Sequence, residues 1–131
     1  MTPTKDQVGN AGAPQFEAEP FDVAYKPLAQ TPLIEAGICF HPDCARPFNP
    51  AVPWQIYCSA ACRQAAKSEF RRVGILAAPA LLAHRAGKHA GSDQPELREL
   101  SAAGRNYITR LQGDWRLDRM QRKARAEIER G

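Results

Sequence analysis

Four cysteines carry the most specific chemistry in this chain. Cys39, Cys44, Cys58 and Cys62 fall in the pattern C-x4-C-x13-C-x3-C, and no fifth cysteine is left over. Structural zinc takes four soft ligands at about 2.3 Å in a tetrahedron. Two short cysteine pairs joined by a hairpin-sized loop meet that demand, because each pair supplies two sulfurs from one turn. Two disulfides are the alternative, with three connectivities. The opening MTPTKDQVGNAGAPQF has no apolar core of a secretory signal, so a reducing, cytoplasmic setting and metal ligation are expected. Iron–sulfur ligation is disfavoured, since the spacings match none of the ferredoxin-type runs. His41 and Asp43 lie inside the first pair and could replace a ligand, but beside four thiols His41 reads as a loop residue.

A site closed by four thiolates has no position left for a water or a substrate, which argues against catalysis. His84 and His89, five apart in a Gly/Ala-rich stretch, have no carboxylate at a telling spacing and read as mobile surface histidines. No nucleophile or acid–base set stands out, so a non-enzymatic role without a small-molecule substrate is expected.

The elements that must position the thiols can be read around them. In CFHPDCARPF, Pro42 and Asp43 suit a tight turn, while VPWQIY has the β-branched and aromatic residues of a strand that returns Cys58 to the first pair. Ser59 is a natural N-cap, which puts Cys62 in the first turn of a helix. Ala66, Phe70 and Val73 continue the face of Cys62, and Arg63, Lys67 and Arg71 form a basic row on the far side.

The stretch PFNPAVPWQIYCSAACRQAAKSEFRR, with its knuckle, hairpin and second knuckle opening a helix, resembles treble-clef zinc fingers. It is similar to short bacterial and phage fingers of the CGNR type and, more distantly, to the small zinc protein that inhibits DNA gyrase. Arg63-Gln64-Ala65 stands where CGNR proper has Gly-Asn-Arg, and the first pair here is C-x4-C. The resemblance covers about residues 38–73. It implies a small α+β fold, one structural zinc ion on the four cysteines, and a nucleic-acid- or protein-binding role in a small bacterial or phage protein.

The remainder of the chain divides by composition. The net charge of +4 splits into −3 over residues 1–38 and +7 over 39–131. Residues 1–37 hold five prolines and read as an acidic, largely disordered tail, within which FEAEPFDVAYKPL could dock as an extended peptide. Residues 38–78 form the four-cysteine unit. Pro79 is expected to end or kink its helix, leaving 79–92 as a loop with one further turn at LLAH. Residues 93–131 read as helix, with Asp93 and Glu96 spaced as a capping box around Pro95. Leu97, Leu100, Tyr107, Ile108, Leu111 and Trp115 form its apolar stripe. Gly113-Asp114 either breaks this helix or is run through. Asp118 and Arg122 are an i,i+4 pair. No apolar run is long enough to cross a membrane.

The expected architecture is therefore a four-cysteine treble-clef finger with a short β-hairpin, followed by one or two helices. The expected function is nucleic-acid binding, DNA ahead of RNA, through Arg46, Arg63, Lys67, Arg71 and Arg72, with Trp54 and Tyr57 as candidates to stack on bases. The alternative is a zinc-stabilised interaction or assembly subunit, in which the stripe Leu97–Trp115 meets a partner or a second copy. The competing reading of that stripe is that it folds back on Phe70, Val73, Ile75 and Leu76 as one shared core.

Overall fold

In a computed structural model, residues 14–24 and 35–131 are described; most of the expected acidic tail lies outside them. Three helices appear in chain order: α1, Phe21–Ala24; α2, Ala60–Gly87; and α3, Pro95–Arg130. The architecture is a long antiparallel pair, α2 and α3, with the cysteine loops at the end where α2 begins and α3 finishes.

The start of α2 follows the expectation. Ser59 is extended, and its hydroxyl accepts from the backbone N–H of Cys62 at 3.3 Å. The helix then runs 28 residues, about 42 Å at 1.5 Å per residue, straight through Pro79. The expected end and loop at Pro79 are thus corrected. Proline removes one ladder donor and crowds the carbonyl four residues back. That carbonyl belongs to Ile75, on an exposed side of α2, and contacts with α3 on both sides of the proline hold the helix in register. Helix α3 likewise runs through Gly113-Asp114 without a break. It begins at Pro95 with Gln94 as an N-cap that makes no side-chain hydrogen bond, so the Asp93/Glu96 box does not form.

The seam between α2 and α3 is built from small residues. Ala66, Ala80 and Gly87 of α2 and Ser101, Gly104 and Ala126 of α3 are all buried. A Cβ on Gly104 would stand 2.5 Å from the Ala80 carbonyl oxygen and 2.9 Å from the His84 amide. One on Gly87 would fall on the Leu97 carbonyl. The backbones therefore touch, as only glycine permits. Ser101 Oγ donates to the His84 carbonyl at 2.8 Å and lies 3.3 Å from the His84 ring, so His84 is a half-buried seam residue rather than a mobile surface one. His89 is exposed as expected.

The expected β-hairpin does not form. Among the described residues there is no strand, only a single antiparallel bridge between Ile38 and Pro47, so the fold is mostly helical rather than α+β. Pro47, Pro50 and Pro53 deprive this segment of ladder donors. The chain satisfies itself locally instead. The Gln55 side chain accepts from Ala51 N–H and donates to the Tyr57 carbonyl, and one backbone bond, Phe40 N–H to the Ile56 carbonyl, joins the two cysteine loops.

A small core sits beneath these loops. Cys39, Ile56, Tyr57 and Ala66 are buried, with Phe40, Phe48 and the other cysteines packed on them, and Phe40 meets Tyr57 edge to face. Tyr57 is therefore a core residue and not a stacking platform for bases. Helix α1 is helical rather than extended, and its Val23 shares a shallow groove with Val52, Trp54, Tyr57 and Arg63.

Candidate metal centre

The first cysteine loop is a tight turn in which the amides of Cys44 and Ala45 both donate to the His41 carbonyl. Ala45 closes it at φ +49°, a left-handed conformation that costs a non-glycine residue on the order of 1 kcal/mol. The second pair straddles the start of α2, with Cys58 just before the N-cap and Cys62 in the first turn. Together the four Sγ atoms lie within 4.8 Å of one another, and the cysteines are all free thiols. Cys44–Cys58 and Cys58–Cys62 sulfur separations are both 3.7 Å. A tetrahedron with metal–sulfur bonds near 2.3 Å has edges of about 3.8 Å. Donor set and spacing therefore fit one metal ion.

Burial acts against the thiolate form at two of the four cysteines. Burial pushes the Cys39 thiol up to about 12, and burial likewise raises Cys62. Cys58 moves the other way: burial raises it, but hydrogen bonding with Ser59 and with the neighbouring thiols leaves it lowered. A set of buried thiolates needs a positive partner, and the nearest structural sources are the start of α2 and the Cys58 amide, which donates to Cys39 Sγ at 3.4 Å. His41 is not among the clustered ligand atoms. Its side chain is 12% exposed, its buried Nδ1 has no hydrogen-bond partner, and burial lowers its pKa.

The side chains that hold this centre in place come from the far end of the chain. Glu69, buried in α2, accepts from Trp115 Nε1 at 2.9 Å and Arg119 at 2.7 Å on one oxygen, and pairs with Arg122 at 2.6 Å on the other. Burial alone would raise its carboxyl; the hydrogen bonds from Arg122, Trp115 and Arg119 hold it below the usual range. Arg119 also donates to the Phe40 carbonyl at 2.8 Å and lies over the Phe40 ring. Arg122 grips both oxygens of Asp43 and also meets Asp118, the i,i+4 partner expected. Arg130 donates to the carbonyls of Cys44 and Ala45. One row of α3 arginines thus fastens the first cysteine loop to both helices.

Sequence reasoning missed this clamp. Arg119, Arg130 and Glu69 carry no expected role in the sequence reading, and Arg122 only its pairing with Asp118. The available signal was Glu69 lying three residues from Ala66, on the apolar side of α2.

The remaining candidates separate into two groups. Arg46, Arg63, Lys67, Arg71 and Arg72 are all exposed, and none makes an ion pair among the described residues. Arg72, however, lines a groove with Glu69, Asp118 and Arg122, away from the Arg63–Lys67 row. Of the apolar stripe, Leu97, Ile108, Leu111 and Trp115 are half-buried, while Leu100 and Tyr107 stay 46% and 44% exposed. Trp115 packs edge to face on Phe70 at 5.8 Å. Ile75 and Leu76, expected in the same shared core, are exposed. No helix among the described residues is long and apolar enough to cross a membrane. No protein-family description, curated protein or solved structure matches this chain.

Proposed function

We propose that the chain binds one zinc ion on Cys39, Cys44, Cys58 and Cys62, and that this structural centre presents the basic face of α2 to nucleic acid, DNA ahead of RNA. The metal identity rests on the ligand chemistry: four thiolates at tetrahedral spacing suit a soft, redox-inert ion. All four positions are filled by protein, so the ion holds loops together and leaves no coordination site for a substrate.

The observation that carries the nucleic-acid reading is the row Arg63, Lys67 and Arg71, which starts one residue after the last cysteine. All three are exposed, and the one acid of α2, Glu69, is buried in the clamp. Cations without acidic neighbours are free to replace the counterions of a phosphate backbone. The test is binding of zinc-loaded protein to generic DNA at 50 and 200 mM salt. Affinity should fall steeply with salt and weaken in the Arg63/Lys67/Arg71 triple alanine. No binding at 50 mM salt refutes this reading.

A second reading, an assembly role, is favoured by a different observation. Ile75 and Leu82, seven residues apart on the outer side of α2, are each 74% exposed. A concentration-dependent mass in light scattering, lost in Ile75→Glu/Leu82→Glu, would support it.

A further inference from the structure

Helix α3 carries a second basic row whose spacing has nothing to do with the clamp. Arg98, Arg105 and Arg116 are separated by 7 and 11 residues. At about 100° per residue, both steps return to within roughly 20° of the same direction. The three side chains therefore share one side of α3, and all are exposed with no ion pair among the described residues. The acids of this stretch point elsewhere: Glu96, Asp114 and Asp118 are turned roughly 60–100° the opposite way from the seam, and Glu99 lies towards the back.

The two rows belong to one face of the hairpin. Measured from the seam residue Ala66, Arg63, Lys67 and Arg71 lie about 60–140° round α2. Measured from Leu97 and Trp115, the three arginines of α3 lie about 80–100° round in the same sense. In an antiparallel pair, equal rotation from the seam leads to the same side. The groove on the other side bears this out: it is lined by Arg72 of α2 and Asp118 of α3, both rotated in the opposite sense.

Resting on the nucleic-acid reading above, we infer that the ligand is duplex DNA lying along both helices, with Arg116 level with Arg71 and Arg98 and Arg105 contacting phosphates past the end of the Arg63–Arg71 row. The α3 row spans about 27 Å, or about eight base-pair steps at 3.4 Å. The chemistry of the face favours a duplex backbone over single strands. Single-strand binding relies on aromatic side chains that stack on bases. Here Tyr107 lies on the opposite side of α3, and Phe70 is engaged edge to face with Trp115. Trp54, 48% exposed, lies beside Arg63 at the cysteine end of this face, whereas the α3 arginines, with no stacking group beside them, read phosphate position and not sequence.

The experiment titrates zinc-loaded full-length protein into a 20-base-pair duplex between 50 and 200 mM salt. Six phosphate contacts give a slope of log K against log salt of about −5. Arg98→Ala/Arg105→Ala/Arg116→Ala should make that slope shallower by about 3, whereas Arg110→Ala, on the other side of α3, should leave the two rows intact and change it by less than 1. Duplex binding whose slope survives the triple substitution overturns the α3 surface while leaving the α2 reading intact. Absence of any DNA binding by the wild type overturns both. Tighter binding to a 20-nucleotide single strand, or loss in the triple variant of binding to anionic vesicles but not to duplex, also overturns the inference.

Discussion

Glu69→Ala tests the clamp that joins the cysteine loops to the helices. Glu69 is 7% exposed and takes three charged or polar donors on its two oxygens, at 2.9, 2.7 and 2.6 Å. Its removal leaves the Trp115 N–H unpaired and two largely buried guanidinium groups without their shared anion. Breaking a buried ion pair from one side costs about 3–5 kcal/mol. Arg119 keeps the Phe40 carbonyl and Arg122 keeps Asp43 and Asp118, so the lower figure applies, about 3 kcal/mol. That is a large share of a domain's 5–15 kcal/mol and corresponds to a fall in Tm of roughly 10 °C. Because Arg119 and Arg122 also hold the first cysteine loop, zinc should leave the variant faster, with affinity down about 10–100-fold. The assays are thermal denaturation by circular dichroism and zinc transfer to a chromophoric chelator. A Tm within 2 °C of wild type, with unchanged zinc transfer, refutes the reasoning.

Three further outcomes follow from the same structure. Gly104→Ala must push α2 and α3 apart at the Ala80 carbonyl and should lower Tm by several degrees, whereas Gly113→Ala, with nothing within 4 Å, should raise stability by about 1 kcal/mol in urea denaturation. The Glu69 carboxyl is held below its unfolded value, so its contribution is full above the ordinary carboxylate range and is lost as pH falls through the folded value. The Tm gap between wild type and Glu69→Gln should therefore close as pH falls below the ordinary carboxylate range, zinc loss being common to both proteins. Arg130→Ala removes the donor to the Cys44 and Ala45 carbonyls and should speed zinc release while leaving α2–α3 helicity unchanged by circular dichroism.

How far the sequence could be read depended on the range of each interaction. The ligand cluster and the Ser59 cap were legible because both are local: sulfur spacing within 24 residues, and a hydroxyl three residues from the amide it caps. The Asp118–Arg122 pair was legible for the same reason. Pro79 misled and Gly113 left two outcomes open, since each weakens an isolated helix by an amount that contacts with a neighbouring helix can offset, and those contacts span the whole hairpin. The β-hairpin was read from the aromatic and branched residues of VPWQIY, but the prolines at 47, 50 and 53 removed the donors a ladder needs. Trp115 looked like a surface for a partner, yet its indole N–H and ring are taken by Glu69 and Phe70, 46 and 45 residues away. The clamp itself links Glu69 to arginines 50 and 53 residues on, a pairing that no local pattern encodes.

The central claim is a single zinc ion held by four thiolates and by nothing else. X-ray absorption at the zinc edge of the purified chain tests it directly. The expected result is one zinc per chain with four sulfur neighbours at about 2.3 Å. A nitrogen or oxygen shell at about 2.0–2.1 Å, which would bring His41 or a water into the first shell, or a chain that binds no zinc at all, would contradict it.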